Sequence, residues 1–533
     1  MHKSWLKSLR QLVTPYKKQA AEKRPAQSGG STGGPRTPLW GNLTHDEARI
    51  KEILGDSYDF QCRELEIGRD PACRAALFYF DGLVDKKLMD IGFLRSLLQD
   101  LELGPLVHDR EELLTRIKLR ILNTADVREV ASLEELTEGV LVGNAALLAD
   151  GCRKALLLGV PGWEHRAVQE PMDESVIRGP RDGFVETIRV NTALVRRRIK
   201  DPALRLERFV LGRRTKTEVV VAYMQGIANA QVVEEVRRRI LRIDLDGIID
   251  SGYLEELIED APYSPFPQLF NTERPDRFAA NLLEGRVGIL VDGSPFALLL
   301  PISFLMTFQA SDDYYERLWV ATFLRWLRFV NFLVALLLPS IYVALTTYHQ
   351  ELIPDPLLLS IAAAREGVPF PALLEALLME ITLEIMREAG LRLPKPIGNA
   401  ISIVGALVLG QVAVMTGLVS ASMVVVVGYT AIATFTTPRY SAMIPIRLLR
   451  FPLMILAGTL GLFGVMVGFL AVHIHLVSLR SFGTPYMAPI APYVWNDLKD
   501  ILWRAHWLAM RTRPKLGEPQ EPIREGETVR RTL

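Results

Sequence analysis

The residues best placed to do chemistry in this 533-residue chain lie in PALLEALLMEITLEIMREAG, residues Pro371–Gly390. Laid out at about 100° per residue, Glu380, Glu384, Arg387 and Glu388 fall on one side of a helix, with Glu375 well off it. Ionisable groups set among leucines are costly in an apolar medium and tend to face a cavity or one another. The chemistry open to such a cluster is electrostatic: a ring of carboxylates concentrates cations at the mouth of a pore. The same spacing also suits an interfacial helix whose polar face meets water and whose Arg387 pairs Glu384.

The elements that position these acids are apolar. From Ile401 to Thr436 no residue is charged, which is enough to cross a bilayer and turn back, since one crossing takes about 20 residues. Beginning just before it, Asn399, Ser402, Ala406, Gly410, Ala413, Gly417 and Ser420 form a narrow stripe of small residues. Such a stripe lets membrane helices approach closely, and it could also line a weakly polar path. Pro295–Phe308 is short and broken by Pro301, as a re-entrant or interfacial piece would be. Phe323–Tyr348 reads as a full span with Trp319, Trp326, Tyr342 and Tyr348 at its interfaces, and Phe451–Leu479 as the last span. Four full spans plus two shorter segments keep both ends of the chain on one side. The basic loop Arg439–Arg450 then falls outside, against the charge rule. His473 and His475, near the end of the last span, fit an interfacial position better than a metal site or proton relay.

The other half of the chain is charged and soluble in character. The formal charge of +1 argues against a nucleic-acid binder, and the mean hydropathy of +0.16 averages two unlike halves. The three cysteines, Cys62, Cys73 and Cys152, match no zinc spacing and make no disulfide framework, as expected in a reducing compartment. Residues 1–24 lack a secretory signal's apolar core. Trp5, Leu9, Leu12, Val13 and Tyr16 recur there among lysines, as in a basic amphipathic helix or a disordered basic tail, and a Gly/Ser/Pro linker follows at Pro25–Gly41.

Two stretches of the soluble half repeat. ALFYFDGLVDKKLM (Ala76–Met89) resembles VVAYMQGIANAQVV (Val220–Val233), with Gly82 matching Gly226. EGVLVGNAALLADG (Glu138–Gly151) resembles EGRVGILVDG (Glu284–Gly293), pairing Gly139 with Gly285 and Gly151 with Gly293. The pattern predicts two related subdomains in which a strand passes through a glycine turn into a helix and an Asp-Gly turn closes the unit. Between the copies, Arg178, Arg181, Arg189, Arg196, Arg197 and Arg198 crowd one segment. They could bind an anion, a lipid headgroup or an acidic partner, or form a solvated face with structural ion pairs. There is no P-loop, dinucleotide fingerprint, HExxH or GxSxG, so no catalytic, cofactor or metal site is expected, and no enzyme.

The expected architecture is thus an α/β soluble N-terminal region of two related subdomains, followed by an α-helical polytopic membrane domain. Its boundaries fall at 1–45 (basic tail and linker), 46–190, 191–295, 296–480 (membrane) and 481–533 (cytoplasmic tail).

Four blocks carry a resemblance to a known family: RGPRDGFVETIRVN (Arg178–Asn191), Ser264–Pro301, Leu377–Val414 and SFGTPYMAPIAP (Ser481–Pro492). In them the chain resembles the A subunits of GerA-type spore germination receptors, and also their paralogues, the stage-five sporulation AF-type proteins. The resemblance implies a multi-pass protein of the inner membrane of a bacterial spore, acting in nutrient-triggered germination. It further implies a ring-forming, oligomeric cation channel that works with a transporter-like B subunit and a lipoprotein C subunit. On that reading Glu380, Glu384 and Glu388, with Ser402, Ala406, Gly410, Ala413 and Gly417, belong to the ion path. Arg178, Arg181, Arg196, Arg197 and Arg198 are then the candidate partner or anion contacts. A non-conducting scaffold for partner proteins and a secondary transporter are the alternatives. A transporter is expected to carry inverted repeats in its membrane half, whereas the repeat found here is in the soluble half.

Overall fold

The computed structural model describes residues 37–524, except 56, 68–72, 90–113, 116, 119–126, 161, 163–170, 172–173, 175, 177, 393–409 and 502. The basic stripe of residues 3–18, and Asn399, Ser402 and Ala406 of the small-residue stripe, lie outside the described residues.

Two five-stranded sheets make up the soluble region. The first orders its strands β1-β2-β4-β5-β3 (Phe60–Ile67, Cys73–Phe80, Ala145–Ala149, Ala155–Leu158, Val127–Val130). The second repeats that order as β6-β7-β9-β10-β8 (Leu204–Leu211, Thr217–Met224, Val287–Val291, Ala297–Leu300, Phe270–Thr272). All of the pairings are antiparallel, and Ala75↔Ala149 in one copy answers Val219↔Val291 in the other. The duplication read from the sequence is therefore a structural one. Its glycines mark the turns: Gly82 and Gly226 (φ 89° and 80°) follow the second strand of each copy, and Gly151 and Gly293 (φ 83° and 85°) close the hairpins, a backbone region that favours glycine. One pairing shifts. Gly139 lies inside a helix (α2 below), and the residue equivalent to Gly285 (φ 92°) is Gly143 (φ 103°).

Alternation along the strands separates two cores per sheet, as a period of two requires. In β2, Ala75 and Leu77 enter one core while Ala76, Phe78 and Phe80 meet helices α1 (Leu43–Leu54) and α2 (Leu133–Leu141). Helix α3 (Ile188–Arg198) joins the copies. In β7, Val219 and Val221 pack on α4 (Ala230–Leu241) and α5 (Ser251–Ile258). Val220, Ala222 and Met224 face the opposite way, toward α3 and α6 (Pro275–Leu283). That second core runs on without a break through Phe304 and Phe308 to Phe332, Leu336, Met443 and Leu476 of the apolar helices.

The run Pro295–Phe308, expected to approach the membrane, instead supplies β10 and a 3-10 turn at Phe304–Phe308. A central strand buried on both faces is as apolar as a membrane segment. Its register with β8 and β9 assigns it to the second sheet.

The apolar half comprises α7 (Leu318–Thr347), α8 (Asp355–Arg365), α9 (Ala372–Arg392), α10 (Gly410–Met415), α11 (Ala421–Phe435) and α12 (Tyr440–Ser478). Two of these, α7 and residues Ser441–Ser478, are long and apolar enough to cross a membrane. Helix α12 is folded back on itself. Gly461 has φ 65° and ψ −146°, and a Cβ on Gly468 would stand 2.5 Å from Leu453 Cδ2 and 2.9 Å from Leu456 Cδ1. A straight helix would hold those residues about 18 Å or more apart along its axis. The last expected span, Phe451–Leu479, is thus the bend and parts of two antiparallel arms, residues 440–460 and 462–478. Arg439 donates to the Asn271 side chain at 3.1 Å, so the start of the basic segment lies at the soluble region.

Gly461→Ala tests the bend. Its conformation is close to one that only glycine adopts, and the added Cβ would lie 2.8 Å from His349 Nε2. Strain of about 1–3 kcal/mol is expected, read as a lower melting temperature of the detergent-solubilised protein. An unchanged melting temperature would mean that the chain does not turn there.

Candidate functional site

Helix α9 presents its acids to three different elements. Glu375 is fully buried; its Oε1 accepts from Ser420 N at 2.6 Å and from Ser420 Oγ at 2.5 Å, and Arg365 Nη2 lies 3.8 Å from its Oε2. Ser420 caps α11, accepting from Met423 N at 3.3 Å. The carboxylate therefore sits where a helix N-terminus favours negative charge. A short polar chain continues from Ser420 Oγ to Ser422 Oγ (3.2 Å) and on to the Tyr342 hydroxyl of α7 (2.7 Å).

Glu380 lies one and a half turns further along and is 1% exposed. Its Oε2 accepts from Arg450 Nη1 at 2.5 Å, and Arg450 Nε donates to the Ala335 carbonyl of α7 at 2.8 Å. Among the described residues Glu380 Oε1 and Arg450 Nη2 have no hydrogen-bond partner. Glu384 accepts from Arg387 Nη1 at 3.0 Å and lies 3.5 Å from Arg447 Nη1. Glu388 is exposed and pairs with Arg392 at 2.6 Å. Glu380 and Glu384 thus share the face turned to the first arm of α12, as the helical spacing predicts; Glu388 is on that side but beyond the ladder.

The arrangement is an ion-pair ladder rather than a bare acid cluster. Arg447 and Arg450, read from sequence as part of an outside loop, stand inside the helix bundle and neutralise Glu384 and Glu380. Glu375 was also missed as a site residue; the available signal was Ser420, a capping residue immediately before an apolar run. Of the small-residue stripe, a Cβ on Gly410 would stand 3.7 Å from Val424 Cγ1, Ala413 is half-buried, and Gly417 (φ 69°) follows α10, where a Cβ would stand 3.1 Å from the Gly367 carbonyl.

The arginine-rich segment divides in two. Arg196 is buried: it donates from Nε to Asp59 Oδ2 at 2.8 Å and from Nη2 to Ser57 Oγ at 2.7 Å, and it lies over the Phe80 ring. It ties the subdomains together and is closed to an outside partner, which corrects the expectation for that residue. Arg198 holds Asp182 with two contacts of 2.6 Å. Arg178, Arg181 and Arg197 are exposed on the surface of this segment.

Soluble region and bundle meet at a polar seam. His475 Nε2 shares a hydrogen bond with Ser264 Oγ at 2.9 Å, the Tyr486 hydroxyl donates to the Pro267 carbonyl at 2.7 Å, and Ser481 Oγ donates to the Gln268 carbonyl at 2.7 Å. Burial at this seam pushes Glu255 up to about 7, with the nearby Arg439 charge acting in the opposite direction. The block SFGTPYMAPIAP, singled out from sequence, is therefore the strap that joins the two halves.

Residues 48–516 match the family described as Bacillus/Clostridium GerA spore germination protein. The chain is 46% identical over 480 residues to the uncharacterized membrane protein YfkQ of Bacillus subtilis (strain 168), covering 90% of this chain and 91% of that protein. It is 43% identical to spore germination protein KA of the same organism (92% and 89% covered). To its stage V sporulation protein AF the identity is 34% (89% and 94%). The crystal structure of the N-terminal domain of the A subunit of the Bacillus megaterium spore germinant receptor GerK3 is 36% identical, with a TM-score of 0.41, covering 50% of this chain and 98% of that one. With the match running through both sheets, the ladder and the strap, this chain belongs to the GerA family, the A subunits of spore germination receptors.

Proposed function

We propose that this protein is a channel-forming subunit of a nutrient-responsive germinant receptor in the spore inner membrane, which releases monovalent cations when its partners signal. The observation that carries the reading is the ladder: carboxylates on α9 inside an apolar bundle, each of the buried ones held against an arginine of another helix. In this resting arrangement the acids are neutralised. Drawing the first arm of α12 away from α9 frees Glu380 from Arg450 and Glu384 from Arg447, leaving Glu384 only the Arg387 of its own helix, and a symmetric ring of copies would then present them as a cation-attracting collar. Gly410, Ala413 and Gly417, with Ser402 and Ala406, allow the close helix approach such a ring needs.

On this reading the ends of the helices suggest a membrane path. Helix α7 leaves the soluble region, α9 returns toward it from the far end, and the chain is again at the far end by Gly417, which touches Gly367. Helix α11 and the two arms of α12 then give three more passes. Both the soluble region and the C-terminal segment come to lie on one side, taken to be the cytoplasm. The uninterrupted core from the second sheet to α7 and α12 is the route by which a B or C subunit bound to the soluble region, through Arg178, Arg181 or Arg197, would move the arm.

The test is cation flux in proteoliposomes, for the protein alone and with its receptor partners. Glu380→Gln and Glu384→Gln are expected to reduce the preference for cations over anions several-fold. Flux and selectivity unaltered in both variants would remove the acid collar. A protein that assembles with its partners yet passes no current would instead be a scaffold.

A further inference from the structure

We propose that the first turns of α7 and residues 503–508 form one aromatic surface that lies in the lipid headgroup layer on the side of the soluble region. The inference rests on α7 crossing the membrane. At 30 residues, α7 is about ten longer than a hydrocarbon core demands. Its surplus is at the start, since its other end meets the bend at Gly461, where the Tyr348 hydroxyl donates to the Gly458 carbonyl at 3.0 Å.

One stripe of α7 is open in the first turns and half-covered further in, where Val334 and Ile341 pack partly against the cores, and its composition changes along the helix. In the first turns it carries Trp319 (75% exposed), Phe323 (67%) and Trp326 (48%), spaced four and three residues apart. Further in, the stripe is aliphatic, with Val330, Val334 and Ile341 exposed or half-buried. Aliphatic side chains suit hydrocarbon, and tryptophan suits the layer where hydrocarbon meets headgroups.

The second segment extends the same surface. Trp503 packs edge-on against Trp326 with ring centroids 5.2 Å apart, and Trp507 lies 6.0 Å from Tyr314. The polar groups beneath point inward. Asp500 accepts from the Tyr314 hydroxyl at 2.6 Å, and Asp313 accepts from Arg325 Nε at 2.9 Å and Arg328 Nη1 at 2.8 Å. Arg504 is buried, its backbone N–H donating to Thr322 Oγ1 at 3.3 Å. Charges turned inward and indoles turned outward is the reverse of a surface made for water, and the half-covered aliphatic stripe of the spanning helix leads directly into it. Its occupant is the lipid interface. Residues 503–508 are then a foot set on the bilayer beside the strap, while the chain beyond them returns to the second subdomain, where Arg513 Nε donates to the Leu283 carbonyl at 2.8 Å.

The experiment uses the full-length protein in vesicles of phosphatidylcholine and phosphatidylglycerol. Tryptophan fluorescence is quenched by lipids brominated near the headgroup end of the acyl chain, by lipids brominated deep in it, or by aqueous acrylamide. Trp503→Phe with Trp507→Phe, which keeps apolar volume, is expected to lose part of the shallow-bromine quenching and leave acrylamide quenching unchanged. A loss confined to the acrylamide component would place these indoles in water. No loss in either would mean that protein, such as a second copy, covers them. Either result overturns the proposal. Leu338→Trp, at a half-buried position outside the hydrophobic cores, separates this from the membrane reading: deep-bromine quenching of that added indole shows α7 spanning even when the foot fails, and its absence shows that the spanning itself fails.

Discussion

Arg450→Leu is expected to destabilise the protein by about 3–5 kcal/mol, the usual cost of leaving one partner of a buried ion pair alone. Arg450 is 1% exposed and holds Glu380, itself 1% exposed, at 2.5 Å, while its Nε serves the Ala335 carbonyl. Without the guanidinium, Glu380 must take up a proton or draw in water, and a carbonyl of α7 loses its extra donor. Combining Arg450→Leu with Glu380→Leu removes both charges and is expected to recover most of the loss, since an apolar pair of similar volume is often neutral in such a place. Thermal denaturation of the two single variants and the double variant in detergent gives the coupling directly. Single variants as stable as the parent, or a double variant equal to the sum of the singles, would show that the pair does not hold α9 to α12. The same set reads function. If the ladder keeps the channel shut, Arg450→Leu raises leak in proteoliposomes before any signal, which a loss of folding alone would not do.

The soluble half was legible because its signals are local. Strand alternation and Asp-Gly turns are written within ten residues, and two copies let each confirm the other. The misplaced pair, Gly139 for Gly143, arose because Glu-Gly occurs both inside α2 and at the turn after α6. Local composition misled where two environments demand the same residues: Pro295–Phe308 is as apolar as a membrane piece because β10 is covered on both faces. The acids of α9 were visible from helical spacing, but their partners were not. Arg450 is 70 residues from Glu380, and it reaches it only because α12 rises beside α9 from the soluble side. The start on the soluble side is set by Arg439 against Asn271, a contact more distant in sequence than the pair itself, and the later bend falls at Gly461, one of several glycines in a run that reads as a single uninterrupted span. Arg196 was hidden differently. In a row of three arginines nothing local says that the first faces inward, and only the helical position next to Ala193 and Leu194, which enter the two neighbouring cores, turns it toward Asp59.

That buried arginine yields the second large effect. Arg196→Ala is expected to cost about 3–5 kcal/mol, because Asp59 is left buried with its main counter-charge gone. Ser57 then loses the Nη2 donor at 2.7 Å, and Ser57 Oγ is also the acceptor for Leu206 N across the subdomain boundary (3.3 Å). The damage should therefore appear as uncoupling rather than uniform softening. Hydrogen exchange is expected to speed up around residues 57–60 and at the start of β6, while the central strands β4 and β9 stay protected. Arg196→Lys is expected to rescue little, since one ammonium cannot supply the paired donors that Nε and Nη2 direct at Asp59. If Arg196→Lys restored full protection, a point charge would suffice and the geometry of the clamp would not matter. If exchange rose equally in all strands, the clamp would be an ordinary part of one core. An uncoupled first subdomain that still let receptor partners trigger cation release would place the signalling route wholly in the second sheet, whose inner face runs straight into α7 and α12.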